Sequence, residues 1–164
     1  MPAVVTLRPA RPGDAPAMAR VFETAVLVRG QGAYGPRELA AWAAQGSAAR
    51  FAAMLADPAK RLVAAETEAG LVGLAGLEGA EVILVYTAPD APPGTGRQLL
   101  TAVEALARDS GQGALTLTAS RNALSFYLRG GYRILSLAVR TLPGGEALPV
   151  CLMAKTLSDG FHTE

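Results

Sequence analysis

Between Val82 and Leu100 the chain reads Val-Ile-Leu-Val-Tyr-Thr-Ala-Pro-Asp-Ala-Pro-Pro-Gly-Thr-Gly-Arg-Gln-Leu-Leu: an apolar strand, a proline-rich loop, then a helix opened by glycines. Glycines let a ligand approach the backbone, and the free N–H groups and positive dipole end of a helix start favour anions. The chemistry that suits this pattern is the holding of a diphosphate. An ordinary glycine-punctuated loop is the rival reading, because short glycine motifs recur by chance. A phosphate loop of the form Gly-x-x-x-x-Gly-Lys-Ser/Thr is excluded, since no lysine is nearby. A dinucleotide fingerprint fails as well. Leu99 stands at its third glycine, and six residues, three of them proline, separate the strand from Gly94.

The other reactive side chains are few. One cysteine, Cys151, forms no internal disulfide or thiolate metal cage, and its apolar neighbours Val150, Leu152 and Met153 predict a buried, inert thiol. One histidine, His162, lies at the C-terminal end and has no catalytic claim. A Ser-His-Asp triad in the body of the fold, a Cys-His pair and a His-rich zinc site are therefore excluded, and no metal is expected. Catalysis is left to carboxylates, tyrosine, backbone amides or a bound cofactor.

The whole chain is sized to position one such site. Its 164 residues, 51% hydrophobic and 18% charged, suit a single domain with one good core, assigned to 1–157 with a tail at 158–164. Fifteen basic against fourteen acidic residues leave +1, too little for an electrostatic grip on nucleic acid. No apolar run is long enough to span a bilayer and no signal peptide is apparent, so no membrane partner and a cytoplasmic protein are expected.

Periodicity supplies the elements. Ala3–Leu7 reads as a first strand that Arg8-Pro9 breaks, with Asp14 as N-cap of the following helix. Met18, Val21, Phe22, Ala25 and Val26 then share one helical face. Pro36 opens a second helix to Ala44, and a weaker helical pattern runs from Ala48 to Ala56. Leu62–Glu66, Leu71–Leu77 and Glu81–Thr87 form a meander of antiparallel strands, the last apolar enough to be covered on both faces. Leu99, Val103 and Leu106 stripe the helix after Gly96, and Ala114–Ala119 is the next strand. Asn122–Arg129 reads as helix, Tyr132–Leu142 and Leu148–Leu157 as strands. The order β-α-α-β-β-β-α-β-α-β-β predicts an α+β fold whose central sheet is mixed, mostly antiparallel and flanked by helices.

Three pieces of this chain, in order, resemble the GNAT superfamily of acetyl-coenzyme A-dependent N-acetyltransferases. They are Leu7-Arg-Pro-Ala-Arg-Pro-Gly-Asp14 with Tyr34-Gly-Pro-Arg-Glu-Leu-Ala-Ala-Trp42, the strand-loop-helix from Val82 to Leu100, and Ala123-Leu-Ser-Phe-Tyr-Leu-Arg-Gly-Gly-Tyr132. The first is similar to a bacterial branch of small members. The family's diphosphate motif, Arg/Gln-x-x-Gly-x-Gly/Ala, falls on Ala91 to Gly96. Ala91 replaces the usual Arg or Gln, and Pro92 and Pro93 bring no N–H donors. The resemblance implies that Pro93, Gly94, Thr95, Gly96 and Arg97 hold the diphosphate, Arg97 supplying the missing charge. It implies that Leu84, Val85 and Thr87 line the cofactor arm, where the strand carries a bulge and splays from Ala114–Ala119.

By the same resemblance Tyr127 is the general acid, a phenol that protonates the departing thiolate; Phe126 and Tyr127 as paired core aromatics is the plainer reading. Glu81 resembles the base of some members, with a plain surface glutamate or a water chain as alternatives. Arg29, Gln31, Tyr34, Arg37, Glu38 and Trp42 fall on the family's acceptor wall, Arg29, Tyr34 and Trp42 foremost, though Trp42 also suits a packing anchor. The implied reaction is direct acetyl transfer from acetyl-CoA to a primary amine, of a small molecule or a protein, in a ternary complex. A homodimer is common among relatives. The rival reading keeps the fold without the catalysis: a coenzyme A-binding or protein-interaction module, separable by a thiol-release assay over an amine panel. A dinucleotide-dependent oxidoreductase is more distant, and absorbance on NAD(P)H addition discriminates it.

Overall fold

The computed structural model describes residues 3–158; His162 and most of the assigned tail lie outside them. The chain opens with β1 (Thr6–Pro9), α1 (Ala15–Arg29), α2 (Pro36–Ala43) and α3 (Ala48–Ala56). A meander follows, β2 (Lys60–Thr67), β3 (Gly70–Glu78) and β4 (Glu81–Thr87), leading to α4 (Thr95–Asp109) and β5 (Ala114–Ser120). The chain then forms α5 (Leu124–Arg129), β6 (Arg133–Thr141) and β7 (Ala147–Thr156). The seven strands lie in the order β1-β2-β3-β4-β5-β7-β6. Only β4 and β5 run parallel; every other neighbouring pair is antiparallel. This is the mixed, mostly antiparallel α+β sheet that the periodicity predicts.

The strand period of two divides the core between the faces of the sheet. Leu62 of β2 and Leu74 of β3 join Met18, Phe22, Val26, Leu39 and Phe51 under α1 to α3. Their chain neighbours Val63 and Ala75 join Leu99, Leu100, Val103 and Ala107 under α4. The predicted stripe of α1 is buried throughout, and Cys151 is buried in β7. Among the described residues no helix is long and apolar enough to cross a membrane.

Four expectations are corrected. The strands covered on both faces are β2, buried from Leu62 to Ala65, and β3, buried from Gly73 to Leu77. In β4 only Val82 is fully buried, and Ile83 to Thr87 are half-buried because the sheet opens there. The first strand lies later than Ala3–Leu7 and keeps Pro9, which an edge strand tolerates because its outer face has no ladder to break. Asp14 does stand at the start of α1, but its carboxylate accepts from the Arg11 N–H and from Arg8 instead of capping that helix. Finally, α3 is an independent helix, since the Ser47 hydroxyl caps it by accepting from the Arg50 N–H at 3.1 Å.

Candidate active site

Strand β4 leaves its parallel neighbour almost at once. The pairs Glu81–Thr116 and Val82–Leu117 are the whole of the β4–β5 ladder. On the other side, Gly76 faces Leu84 while Leu77 faces Val82, so Ile83 is an extra residue in β4. Such a bulge bends a strand and increases its twist, and here it carries β4 away from β5. The gap is a cleft of about 480 Å³. Its lining includes Leu84, Val85 and Thr87 of β4, Thr118 and Ser120 of β5, and Gly96 at the head of α4. Ser125, Phe126 and Tyr127 of α5 close it from above, and Arg29 of α1 borders it.

The α4 start is built by its loop. Gly94 has φ +88°, a left-handed conformation that glycine adopts without strain. The Thr95 hydroxyl, buried, donates to the Pro92 carbonyl at 2.6 Å, and the Thr95 N–H reaches the same oxygen at 3.2 Å. The Gln98 N–H returns to Gly94 O, so the Gly96 and Arg97 N–H groups are the ones left without a carbonyl partner. Arg97 Nη1 donates to Arg129 O at 3.3 Å, tying this helix start to the end of α5. Of the five loop residues only Gly96 lines the cleft; Pro93, Gly94 and Arg97 flank it, and Thr95 is turned inward.

Tyr127 is 7% exposed and borders the cleft. Its ring stands edge-on to Phe126 and Tyr132, with centroids 5.1 and 5.7 Å away. Burial pushes its phenol well above the ordinary value, with a smaller push from Tyr86. The group therefore stays protonated across the neutral range, as a proton donor must.

A second cleft, about 530 Å³, lies against the same strand and shares Val82, Ile83, Leu84, Tyr86, Trp42, Arg140 and Val150 with the first. Glu81 lines this one and not the other, exposed at its edge. Trp42 is buried, edge-on to Tyr34 and Tyr86, and borders both. Arg29 donates to Thr87 O and Oγ1 and to Ala88 O, which fixes the end of β4. Tyr34 borders neither cleft. Its hydroxyl donates to Pro149 O and accepts from the Arg121 N–H, so it braces the α1–α2 loop against β7 and the end of β5. Two residues escaped the sequence reading. Tyr86 forms the wall between the clefts, and Asn122 lines the first with its Oδ1 buried and without a hydrogen-bond partner. A lone Asn beyond a strand gives no periodic signal. Among the described residues no group of three or more potential metal ligands comes together.

A family profile described as acetyltransferase (GNAT) domain matches residues 31–140. The crystal structure of the GCN5-related N-acetyltransferase: aminotransferase, class-II from Rhodopseudomonas palustris is similar, at 31% identity and a TM-score of 0.87. That match covers 96% of this chain and 98% of that one. The PaiA N-acetyltransferase of Thermoplasma acidophilum, in complex with coenzyme A, shares 18% identity over 94% of this chain and 99% of its own, with a TM-score of 0.76. YncA of Salmonella typhimurium, solved with acetyl-CoA, shares 21% over 98% of each, with a TM-score of 0.62. The last two show likeness of fold. No curated protein sequence matches the chain.

Proposed function

The chain belongs to the GNAT acetyltransferase family, and from that premise we propose that it passes the acetyl group of acetyl-CoA directly to a primary amine, with Tyr127 as general acid. The observation that carries this reading is the parting of β4 from β5 beyond Val82, under a protonated, buried tyrosine. Backbone groups on that edge of β4 have lost their strand neighbour, and an unpaired backbone edge can bond an amide-bearing chain as a strand would. The buried Asn122 Oδ1, lacking a partner, is an acceptor for an amide N–H in the same gap. The Gly96 and Arg97 N–H groups, at the head of a fifteen-residue helix, suit a diphosphate. Arg97 and Arg129 bring positive charge beside them.

Coenzyme A supplies the acetyl group in activated form, as a thioester. The protein orients it. In this reading backbone N–H groups around the Ile83 bulge polarise its carbonyl, and Tyr127 gives a proton to the departing sulfur. Glu81, at the edge of the second cleft, draws the proton of the incoming amine through water. The amine attacks without a covalent enzyme intermediate, since the buried Cys151 lines neither cleft. The test is a calorimetric titration with acetyl-CoA followed by thiol release over an amine panel. Binding with amine-stimulated release is expected. No binding at millimolar concentration overturns the reading, and binding without release from any amine makes the protein a coenzyme A-binding module.

A further inference from the structure

The second cleft carries two guanidinium groups that no carboxylate among the described residues neutralises. The ion pairs among the described residues engage Arg8, Lys60 and Lys155, and leave out Arg50 and Arg140. Arg50, on α3, is steered but not neutralised: its Nη1 donates to Gln45 O at 3.0 Å and Oε1 at 3.3 Å. Arg140 reaches the cleft from β6, on the far wall, and also borders the acetyl-transfer cleft. Both guanidiniums line the one cleft that Tyr86 also borders, Arg50 from α3 and Arg140 from β6. The remaining lining charges are spoken for on the cationic side. Lys60 donates to Glu78 at 3.2 Å and to Asp57 at 2.6 Å, which leaves Glu81 as the carboxylate without a cation partner among the described lining residues.

A cleft with two free guanidiniums beside Tyr86 and one free carboxylate at its edge is built for a small zwitterion. Resting on the acetyl-transfer reading above, we propose that the acceptor is a free α-amino acid or a close relative, its carboxylate bound between Arg50 and Arg140 and its amine turned toward the bulge of β4. The planar guanidinium fork matches a carboxylate with paired, charge-assisted hydrogen bonds, which a neutral amine cannot form. Val82 to Leu84, Thr118 and Arg140 line both clefts, so the two adjoin along β4, and an amine whose carboxylate lies in the second can face a thioester in the first.

The experiment measures thiol release from acetyl-CoA with a panel of L-amino acids, each paired with its own carboxamide. The comparison runs against the proposal, because the carboxamide's amine is less basic and more of it is free at neutral pH. At least one acid is expected to exceed its amide at least tenfold in kcat/KM. Arg140→Gln and Arg50→Gln are each expected to shrink that acid-to-amide ratio at least tenfold through KM, and Arg140→Glu to invert it. Both positions are exposed, so folding is preserved. Turnover equal or greater with every amide, or none across the panel while acetyl-CoA binds by calorimetry, overturns the amino-acid assignment and leaves coenzyme A binding standing. Failure to bind acetyl-CoA overturns both.

Discussion

Tyr132 donates its hydroxyl proton to Glu104 Oε2 at 2.8 Å, and the Lys155 ammonium meets the same carboxylate at 3.0 and 3.2 Å. Three elements are latched there: α4 through Glu104, β7 through Lys155, and the turn after α5 through Tyr132 and Gly130 O, which also accepts from Lys155 at 2.9 Å. The Tyr132 ring in turn stands against Tyr127. Glu104→Ala strands a half-buried ammonium and a buried phenol. It is expected to cost roughly 3 kcal/mol, the lower end of the range for breaking a buried pair, because Lys155 keeps one partner. A thermal melt should show a loss of several degrees, and kcat should fall as Tyr127 loses its backing. Tyr132→Phe removes one hydrogen bond to a charged acceptor and leaves the ion pair, so roughly 1.5–2 kcal/mol is expected.

Tyr127→Phe separates chemistry from packing. Among the described residues the tyrosine hydroxyls that hydrogen-bond are those of Tyr34 and Tyr132, so removing the Tyr127 oxygen breaks no internal hydrogen bond. The melting temperature should therefore hold while kcat falls by about 10²–10⁴, the usual value of general acid catalysis. The sign of the pKa shift adds a second readout. A phenol raised above its ordinary value keeps its proton to higher pH, so the kcat profile should show no falling limb below about pH 10. Unchanged turnover in the variant removes Tyr127 from the mechanism.

Arg8 joins β1 to the head of α1 and to β2 by donating a bidentate pair of hydrogen bonds to each of Asp14 and Glu66 at 2.8–3.1 Å. Its hydrogen bonds hold both carboxyls below their ordinary values of 3.8 and 4.5. With a lowered folded-state pKa, the unfolded chain takes up protons first as pH drops. The stabilisation is complete above those ordinary values and drains away as pH falls through the lowered ones. Melting temperature should be flat from pH 8 to about 5, then decline. Arg8→Gln should flatten that acid limb and lower the neutral melting temperature only modestly, since both pairs are partly solvated.

Most of the fold was legible because it rests on period. The α1 face from Met18 to Val26 and the alternating Leu115 and Leu117 of β5 are patterns that a core imposes on sequence, and all are buried. The fully apolar β4 misled for the opposite reason. An apolar run suits both a strand covered on two faces and a strand whose side chains floor a cleft, and β4 is the second kind. Pro9 misled because proline breaks a central strand but not an edge. At the site, Tyr127, Leu84, Val85, Thr87 and Gly96 line one cleft. Glu81, Tyr34 and Trp42 were placed by resemblance, and the geometry distributes them differently: one at the edge of the second cleft, one into a backbone brace, one into the wall between clefts. Asn122, Arg50 and Arg140 could not be read, because what marks them is a missing donor at Asn122 Oδ1 and a missing carboxylate at the two arginines, which only three-dimensional contacts reveal.

Gly94 and Gly96 look alike in sequence and should fail in different ways. At Gly94 a Cβ would meet nothing within 4 Å, but φ is +88°, so alanine there costs backbone strain of roughly 1–2 kcal/mol and shows in the melt. At Gly96 the backbone is ordinary helix, where alanine is favoured over glycine by up to about 1 kcal/mol. Its Cβ would instead come within 3.2 and 3.4 Å of the Phe126 ring and stand in the cleft lining beside the free N–H groups. Phe126 must yield by a few tenths of an ångström, which offsets part of that gain. Gly96→Ala should thus keep the melting temperature within a few degrees while weakening acetyl-CoA binding severalfold by calorimetry. Gly94→Ala should lower the melting temperature, with binding loss following the loss of the helix start. If Gly96→Ala binds acetyl-CoA as tightly as the parent chain, the diphosphate does not approach the head of α4.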